Sequence, residues 1–437
     1  MPTTLGDERF QAVHCMGNGA VCVYGRGPDI LQMFGPTYST PSALSLRLTA
    51  GCDAFDSRRE AGTDIWSHRL LEKGKELGEL RDGVLEHRKG FIRRLRLRQA
   101  VTMRMEGIFA GDLFLLPESL FPTGGVLGVI PEGTPFYDYG VTGGLHHGFF
   151  ADRSHYIGVV TRGDAVACAL EEGVIEWTAA EATLIFVFGD GYEAVLEEMR
   201  VLAATDPEEL FQERAKACRA AAARREGRLT PGQLAYREAA DDVAVLIKAQ
   251  QSASGGVLAG DRYHLAYVRD NYGVHRGLLQ LGCWEEDRQL LEYYAGVFGR
   301  WGEVHNAQGT DAYAFHIHEN DRSEITGYLM LMAPEYYETT GDRSIFPLMR
   351  PLALWCAEQQ HRLLKKGMLP FNGDETYIAG GLLPRSVIHH GSMEATALYH
   401  AACLRMLRYA DEWELDAAHR EMLEGDRRRI EENFTRN

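Results

Sequence analysis

The sequence predicts a chain in two parts, a β-sandwich followed by a succession of paired helices. Three observations predict it. Through residues 1–191 short apolar stretches alternate with polar residues at a period of two, punctuated by Gly and Pro, which is what half-buried strands require. From Tyr192 the composition shifts to Ala, Glu, Leu and Arg, with Asp206-Pro207 dividing two helical stretches. From Thr230 onward apolar residues recur at helical spacing, and consecutive helices joined by short connections pack as antiparallel hairpins. Residues 1–191 are therefore read as the sandwich domain, 192–229 as a helical linker and 230–437 as a helical domain.

The first strand is expected at 20–24. In the next well-marked one, Leu95, Leu97, Val101, Met103 and Met105 alternate with Arg94, Arg96, Arg98 and Arg104. The Arg series resembles a nucleic-acid patch, but a strand with one solvated face accounts for every residue in it. Further strands are expected at 113–116, 156–161, 165–170 and 184–188, with Arg162-Gly163-Asp164 turning a hairpin. Thr230, Pro231 and Gln233 supply an N-cap, an N1 proline and a capping-box partner, ahead of a face of Tyr236, Ala240, Val243 and Ile247. Later helices are expected at 271–281, 285–300, 322–339, 344–363, 392–410 and 416–434, about seven in all. Asp321 and Glu324 form a second capping box, while Pro334, Pro347 and Pro351 are expected to kink or segment their helices.

Composition narrows the function. The 437 residues carry a net charge of −16, which argues against gripping phosphate backbones. No apolar run of membrane-spanning length occurs, and the N-terminus has neither a basic nor an apolar leader region, so no membrane partner is expected. The eight cysteines include no Cys-x-x-Cys pair and read as thiols of a reducing, cytoplasmic compartment. No cofactor is expected, and no metal either, since His316 and His318 lack a third ligand at suitable spacing. The oligomeric state is not legible. These properties describe a cytoplasmic enzyme acting on a small or neutral substrate.

Two connections, 301–321 and 365–387, are long for a helical scaffold and rich in His, Asp, Glu, Asn and aromatic residues, which marks them for chemistry. Ahead of them, Tyr263-His264-Leu265-Ala266-Tyr267-Val268-Arg269-Asp270 leads into a helix. Asp270 is readable as a plain N-cap, or Arg269 and Asp270 as a pair that donates to and accepts from sugar hydroxyls. Trp301, Tyr313, Phe315 and Tyr377 are candidate platforms for pyranose faces, with core packing as the alternative for each.

The segment from Tyr263 to Asp270 resembles the aromatic-rich Trp-x-Arg-Asp motif of glucoamylase-like enzymes, the six-hairpin glycosidases that include trehalases and maltose phosphorylases. Glu319-Asn320-Asp321 is similar to the Gln-Asn-Asp segment of glucoamylases, and Asp374-Glu375-Thr376-Tyr377 to the Asp-Glu-Tyr around the acid of maltose phosphorylases. Arg322-Ser323-Glu324 and Phe371-Asn372-Gly373 depart from the family pattern. The resemblance implies a β-sandwich joined to an (α/α) toroid, with the general acid between the fifth and sixth helices. Counted from Thr230, that slot holds Glu375. A glycosidic oxygen leaves poorly unless protonated, so an acid of raised pKa is needed there, and Asp374 is placed either to raise it or to bind a hydroxyl. The implied binding residues are Tyr267, Arg269, Asp270, Trp301, Asp321, Asp374 and Tyr377. The implied activity is inverting hydrolysis of α-glucosides from a non-reducing end. The alternatives are a phosphorylase of the same clan or a non-catalytic carbohydrate-binding protein. The resemblance also implies twelve toroid helices and a catalytic base near the end of the barrel. With about seven helices before Asn437, the toroid is expected to be truncated, the chain weakly active, and its open side prone to association.

Overall fold

The computed structural model describes residues 3–4, 13–40, 42–109, 126–127, 136–142, 145–151, 156–163, 166–169, 174–261, 263–311, 315–316, 322–371 and 388–434. The chain forms two compact units. The first comprises Met1–Leu120, Val129–Ala253 and Gly260–Tyr263, the second Phe121–Gly128, Ser254–Ala259 and His264–Asn437.

In the first unit the strands are β1 (Thr3–Thr4), β2 (His14–Gly17), β3 (Cys22–Arg26), β4 (Asp29–Phe34), β5 (Leu44–Ala50), β6 (Ala54–Arg59) and β7 (Trp66–Glu72). They continue with β8 (Lys75–Val84) and β9 (Gly90–Phe109). After β10 (Val126–Leu127), which belongs to the second unit, come β11 (Phe136–Thr142), β12 (Leu145–Ala151), β13 (Tyr156–Gly163), β14 (Val166–Ala169) and β15 (Val174–Gly189). The expected antiparallel β-region is present, but as one hydrogen-bonded sheet of 14 strands. The reason lies in β9. Its first half pairs with β8, its second half with β5, and β15 follows both halves with a bulge between Ala179 and Glu181.

The period of two then sorts β9 and β15 between two cores. Phe91, Leu95, Met103, Met105, Leu184 and Phe186 face one, while Ile92, Ile185 and Val187 face the other. The second core is closed by α1 (Tyr192–Ala204) and α2 (Pro207–Glu226), through Val195, Met199, Leu202, Leu210 and Phe211. Asp206 caps α2, accepting from the Glu208 amide at 3.1 Å. The Arg series lies on the face opposite the first core, where the buried Arg94 and the exposed Arg96 meet Glu181 and Glu208 of α2, Arg98 meets Glu76, and Arg104 meets Glu106 and Glu176. Arg93, out of phase with them, points inward and is 1% exposed.

Several expectations are corrected. β13 and β14 do not form a hairpin at Arg162-Gly163-Asp164; both pair antiparallel with β15, over different lengths of it. The strand expected at 113–116 lies outside the described residues. The Thr230 capping box exists, with the Gln233 side chain accepting from the Thr230 amide at 2.7 Å, but it opens only the single turn α3 (Pro231–Leu234). In α4 (Arg237–Gln250) the buried residues are Ala244 and Ala249, while Tyr236, Val243 and Leu246 are exposed. An apolar stripe identifies a helix but not what covers it.

The second unit holds α5 (Val268–Gln280), α6 (Trp284–Trp301), α7 (Arg322–Thr340), α8 (Ile345–Leu363), α9 (Met393–Arg408) and α10 (Ala417–Asn433). They pack as the hairpins α5/α6, α7/α8 and α9/α10; α7 also lies against α5 and α9, and α8 against α6 and α10. The result is two rows of helices, with α7 buried on almost every side. Pro334 and Pro351 do not segment α7 and α8, and Pro347 falls in the first turn of α8, where no intrahelical N–H bond is needed. Short strands lie between the helices: β16 (Ala266–Tyr267), β17 (Ala307–Gln308) and β18 (Phe315–His316) join β10 in one small sheet, and β19 (Leu369–Phe371) pairs with β20 (Ile388–Ser392). Among the described residues no helix is long and apolar enough to cross a membrane.

Candidate functional site

The start of α5 is fixed from three directions. Ala266 and Tyr267 pair with Gln308 and Ala307, and the Val268 amide donates to the Asn306 carbonyl at 2.8 Å. Asn271 holds both backbone groups of Val257, accepting from its amide at 3.1 Å and donating to its carbonyl at 2.8 Å. Tyr267, 6% exposed, occupies the N-cap position in extended conformation without a side-chain cap bond. Asp270 is therefore not the N-cap. It sits exposed in the first helical turn beside the half-buried Arg269.

Arg269 points across to α7, where its Nη1 lies 3.6 Å from Oε1 of Glu324, a carboxylate only 1% exposed. One turn further along α7, Tyr328 donates its hydroxyl to Oε1 of Glu394, in the first turn of α9, at 2.9 Å. Burial, and then the bond to Glu394 and the charge of Glu324, push the Tyr328 phenol well above its ordinary value. It is a permanent donor. The Tyr272 ring of α5 packs on Tyr328 with centroids 4.9 Å apart. Three helices thus contribute a cation, two carboxylates and a phenol to one cluster at the N-terminal ends of α5, α7 and α9. The base of the second long connection is tied to the same ends: Ser323 donates to the Pro370 carbonyl, and the Leu369 amide donates to Thr396 at 3.0 Å. The β19–β20 ladder, pairing Phe371 with Ile388, brings together the two ends of segment 372–387.

Of the residues expected to bind or act on substrate, Arg269, Asp270 and Tyr267 stand together at this mouth. Trp301 ends α6 ahead of Gly302, whose φ of 74° is the left-handed turn that closes the helix. Asp321, Asp374, Glu375 and Tyr377 lie outside the described residues, as do His318 and Tyr313. Among the described residues five helices of at least 13 residues, α4 to α8, lie between Thr230 and segment 372–387, the first of them in the first unit. Sequence reasoning assigned Glu324 to a helix cap and did not single out Tyr328. Their spacing of four residues, which puts both on one helix face, was the available signal.

Further along the same helices, His275 of α5 is fully buried between two carboxylates. Its Nδ1 bonds Asp287 of α6 at 2.8 Å, and its Nε2 lies 3.6 Å from Glu335 of α7. Glu335 also accepts from Tyr272 and lies near Arg276 and Arg405. Burial alone would lower the imidazole's pKa, but the charge of Asp287 and the flanking bonds outweigh it and push it from 6.5 up to about 9. A raised value stabilises the fold below the unfolded pKa of 6.5, and that contribution is lost as pH rises toward 9. Melting temperatures should fall between pH 6.5 and 9, and His275→Gln should flatten that fall while lowering stability at pH 6. An unchanged slope in the variant would remove His275 as its source.

No protein-family model matches the chain, and no curated protein matches it in sequence. Its structure does have counterparts. A bacterial glucoamylase solved with acarbose superposes with a TM-score of 0.68 at 11% identity, covering 99% of this chain and 67% of that one. The chain has the glucoamylase fold. A family GH92 α-mannosidase of Bacteroides thetaiotaomicron gives a TM-score of 0.47 at 10% identity, covering 98% of this chain and 59% of that one. The fold implied by the resemblance of the Tyr263–Asp270 segment is thus met over about two thirds of the glucoamylase's length, with three helical hairpins among the described residues.

Proposed function

We propose that the chain is a glycosidase of glucoamylase type, acting on a neutral α-linked glucoside from its non-reducing end. The observation that carries this reading is the convergence of Arg269, Glu324, Tyr328 and Glu394 at one end of three neighbouring helices, beside the anchored base of the segment that holds Glu375. In this reading Arg269 and Asp270 hold the hydroxyls of the terminal sugar, with Asp270 accepting and Arg269 donating. Glu375 protonates the leaving oxygen, with Asp374 and Tyr377 beside it and Asp321 completing the binding wall. An inverting reaction also needs a carboxylate that activates water from the opposite sugar face. Glu394 and Glu324 are the carboxylates of the described cluster available for that role. Seven of the eight cysteines stand as free thiols, which supports a reducing compartment such as the cytoplasm.

The test is product analysis on a panel of α-glucosides, with and without inorganic phosphate. Free glucose in both conditions is the expected result; glucose 1-phosphate, or binding without turnover, would overturn the hydrolase reading. Arg269→Lys and Asp270→Asn should each raise KM by about tenfold to a hundredfold, the worth of one or two hydrogen bonds to charged groups. Asp270 is exposed, so its substitution should change stability by no more than about 0.5 kcal/mol. Normal binding of a monosaccharide inhibitor by both variants would leave Arg269 and Asp270 as ordinary surface residues of a helix end.

A further inference from the structure

Between the C-terminal half of α6 and the connection that follows it lies a cavity of about 340 Å³, whose lining includes none of Arg269, Asp270, Glu324 or Glu394. That size is at the lower end of the roughly 300–1,000 Å³ typical of small-ligand sites. One wall is a single face of α6, on which Glu292, Gly296 and Arg300 recur every four residues. The rim carries Trp301, whose side chain is 42% exposed despite its size. Glu303 and Asp311 close the other side.

The chemistry of this lining is selective. Glu292 and Glu303 are each paired with a guanidinium, and Asp311 shares the lining with Arg300, so the cavity carries little net charge and suits a neutral sugar, whose hydroxyls find acceptors on the carboxylates and a donor in Arg300. Two of the carboxylates are held in place from outside the cavity, Glu292 by Arg288 at 2.9 Å and Glu303 by Arg322. The indole of Trp301 offers the apolar plane against which pyranose C–H groups pack. Gly296, which is exposed and lines the cavity, has nothing within 4 Å of where a methyl group would stand, so a larger side chain can be placed there without displacing a neighbour.

We propose that this cavity is a second carbohydrate-binding site, taking one or two units of a neutral sugar and separate from the helix mouth. That the sugar is a glucan rests on the proposed function; the existence of the site does not. Calorimetric and saturation-transfer NMR titrations with maltotriose test it, made on Glu375→Gln so that turnover does not intervene. Gly296→Leu adds a side chain to the lining and should remove one equivalent of binding without lowering the melting temperature. Introduced into the native chain, it should leave cleavage of a small aryl α-glucoside unchanged. Trp301→Ala should weaken the same equivalent about tenfold or more, which corresponds to about 1.4 kcal/mol or more. Glucose 6-phosphate should bind there more weakly than glucose. Maltotriose binding that neither Gly296→Leu nor Trp301→Ala alters would overturn the proposal, as would tighter binding of the phosphorylated sugar. If the chain cleaves nothing, yet one equivalent is lost in Gly296→Leu and kept in Arg269→Lys, the second site stands and the glycosidase reading falls.

Discussion

Glu375→Gln should lower hydrolysis of maltose-like glucosides by about 10²- to 10⁴-fold, the usual contribution of a positioned general acid. The amide keeps the shape of the side chain and removes the proton that the departing oxygen takes. Substrates whose leaving group is already acidic need that proton least, so cleavage of a dinitrophenyl glucoside should fall far less than cleavage of maltose. This contrast separates loss of acid catalysis from general damage to the site, which would depress both substrates alike. The measurement is kcat/KM for the two substrates with each protein. Wild-type activity of the variant on maltose would take the acid away from Glu375 and return the search to Glu324 and Glu394, the carboxylates already gathered at the ends of α7 and α9.

Arg93→Met should destabilise the protein by about 3–5 kcal/mol, as expected when one partner of a buried ion pair is removed. Arg93 and Asp82 are each 1% exposed, and the guanidinium grips the carboxylate with two bonds, Nε to Oδ1 at 2.8 Å and Nη2 to Oδ2 at 2.7 Å. Burial by itself would push the Asp82 carboxyl up, but the charge of Arg93 outweighs it and holds the group well below the usual carboxylate range. A lowered value stabilises above the unfolded pKa and is lost as the solution is acidified, so the variant should also unfold at higher pH than the native protein. Without Arg93 the carboxylate keeps only His68, whose Nε2 is 3.4 Å away. Replacing both charges, as in Asp82→Leu with Arg93→Met, should recover much of the loss, because no charge is then stranded among Phe91, Leu95 and Met105. Urea unfolding of the three proteins checks this; equal stability of the native chain and Arg93→Met would show the pair to be neutral.

What could be read from the sequence was local. The two-part order of strands and then helices, the helices from α5 to α10 within a few residues, the division of two helices at Asp206-Pro207 and the Thr230 capping box all follow from patterns that complete themselves within one or two turns of chain. The Arg-Asp pair at the mouth of α5 was legible for the same reason, since both residues and the helix that carries them lie within a short stretch. The rest was decided by partners distant in the chain. Nothing near Arg93 distinguishes it from Arg94 except the phase of the strand, yet one is sealed in a core and the other meets Glu181 and Glu208. The stripe of Tyr236 and Val243 has the spacing of a buried face and is exposed, because burial depends on whether another element arrives to cover it. Tyr328 and Glu394 stand 66 residues apart in the chain, and their hydrogen bond exists only because α9 packs on α7 with its N-terminal end at the same level. Periodicity specifies which face of each helix is apolar, but the meeting of polar side chains from three helices depends on their axial offsets and rotations, and those are set by packing.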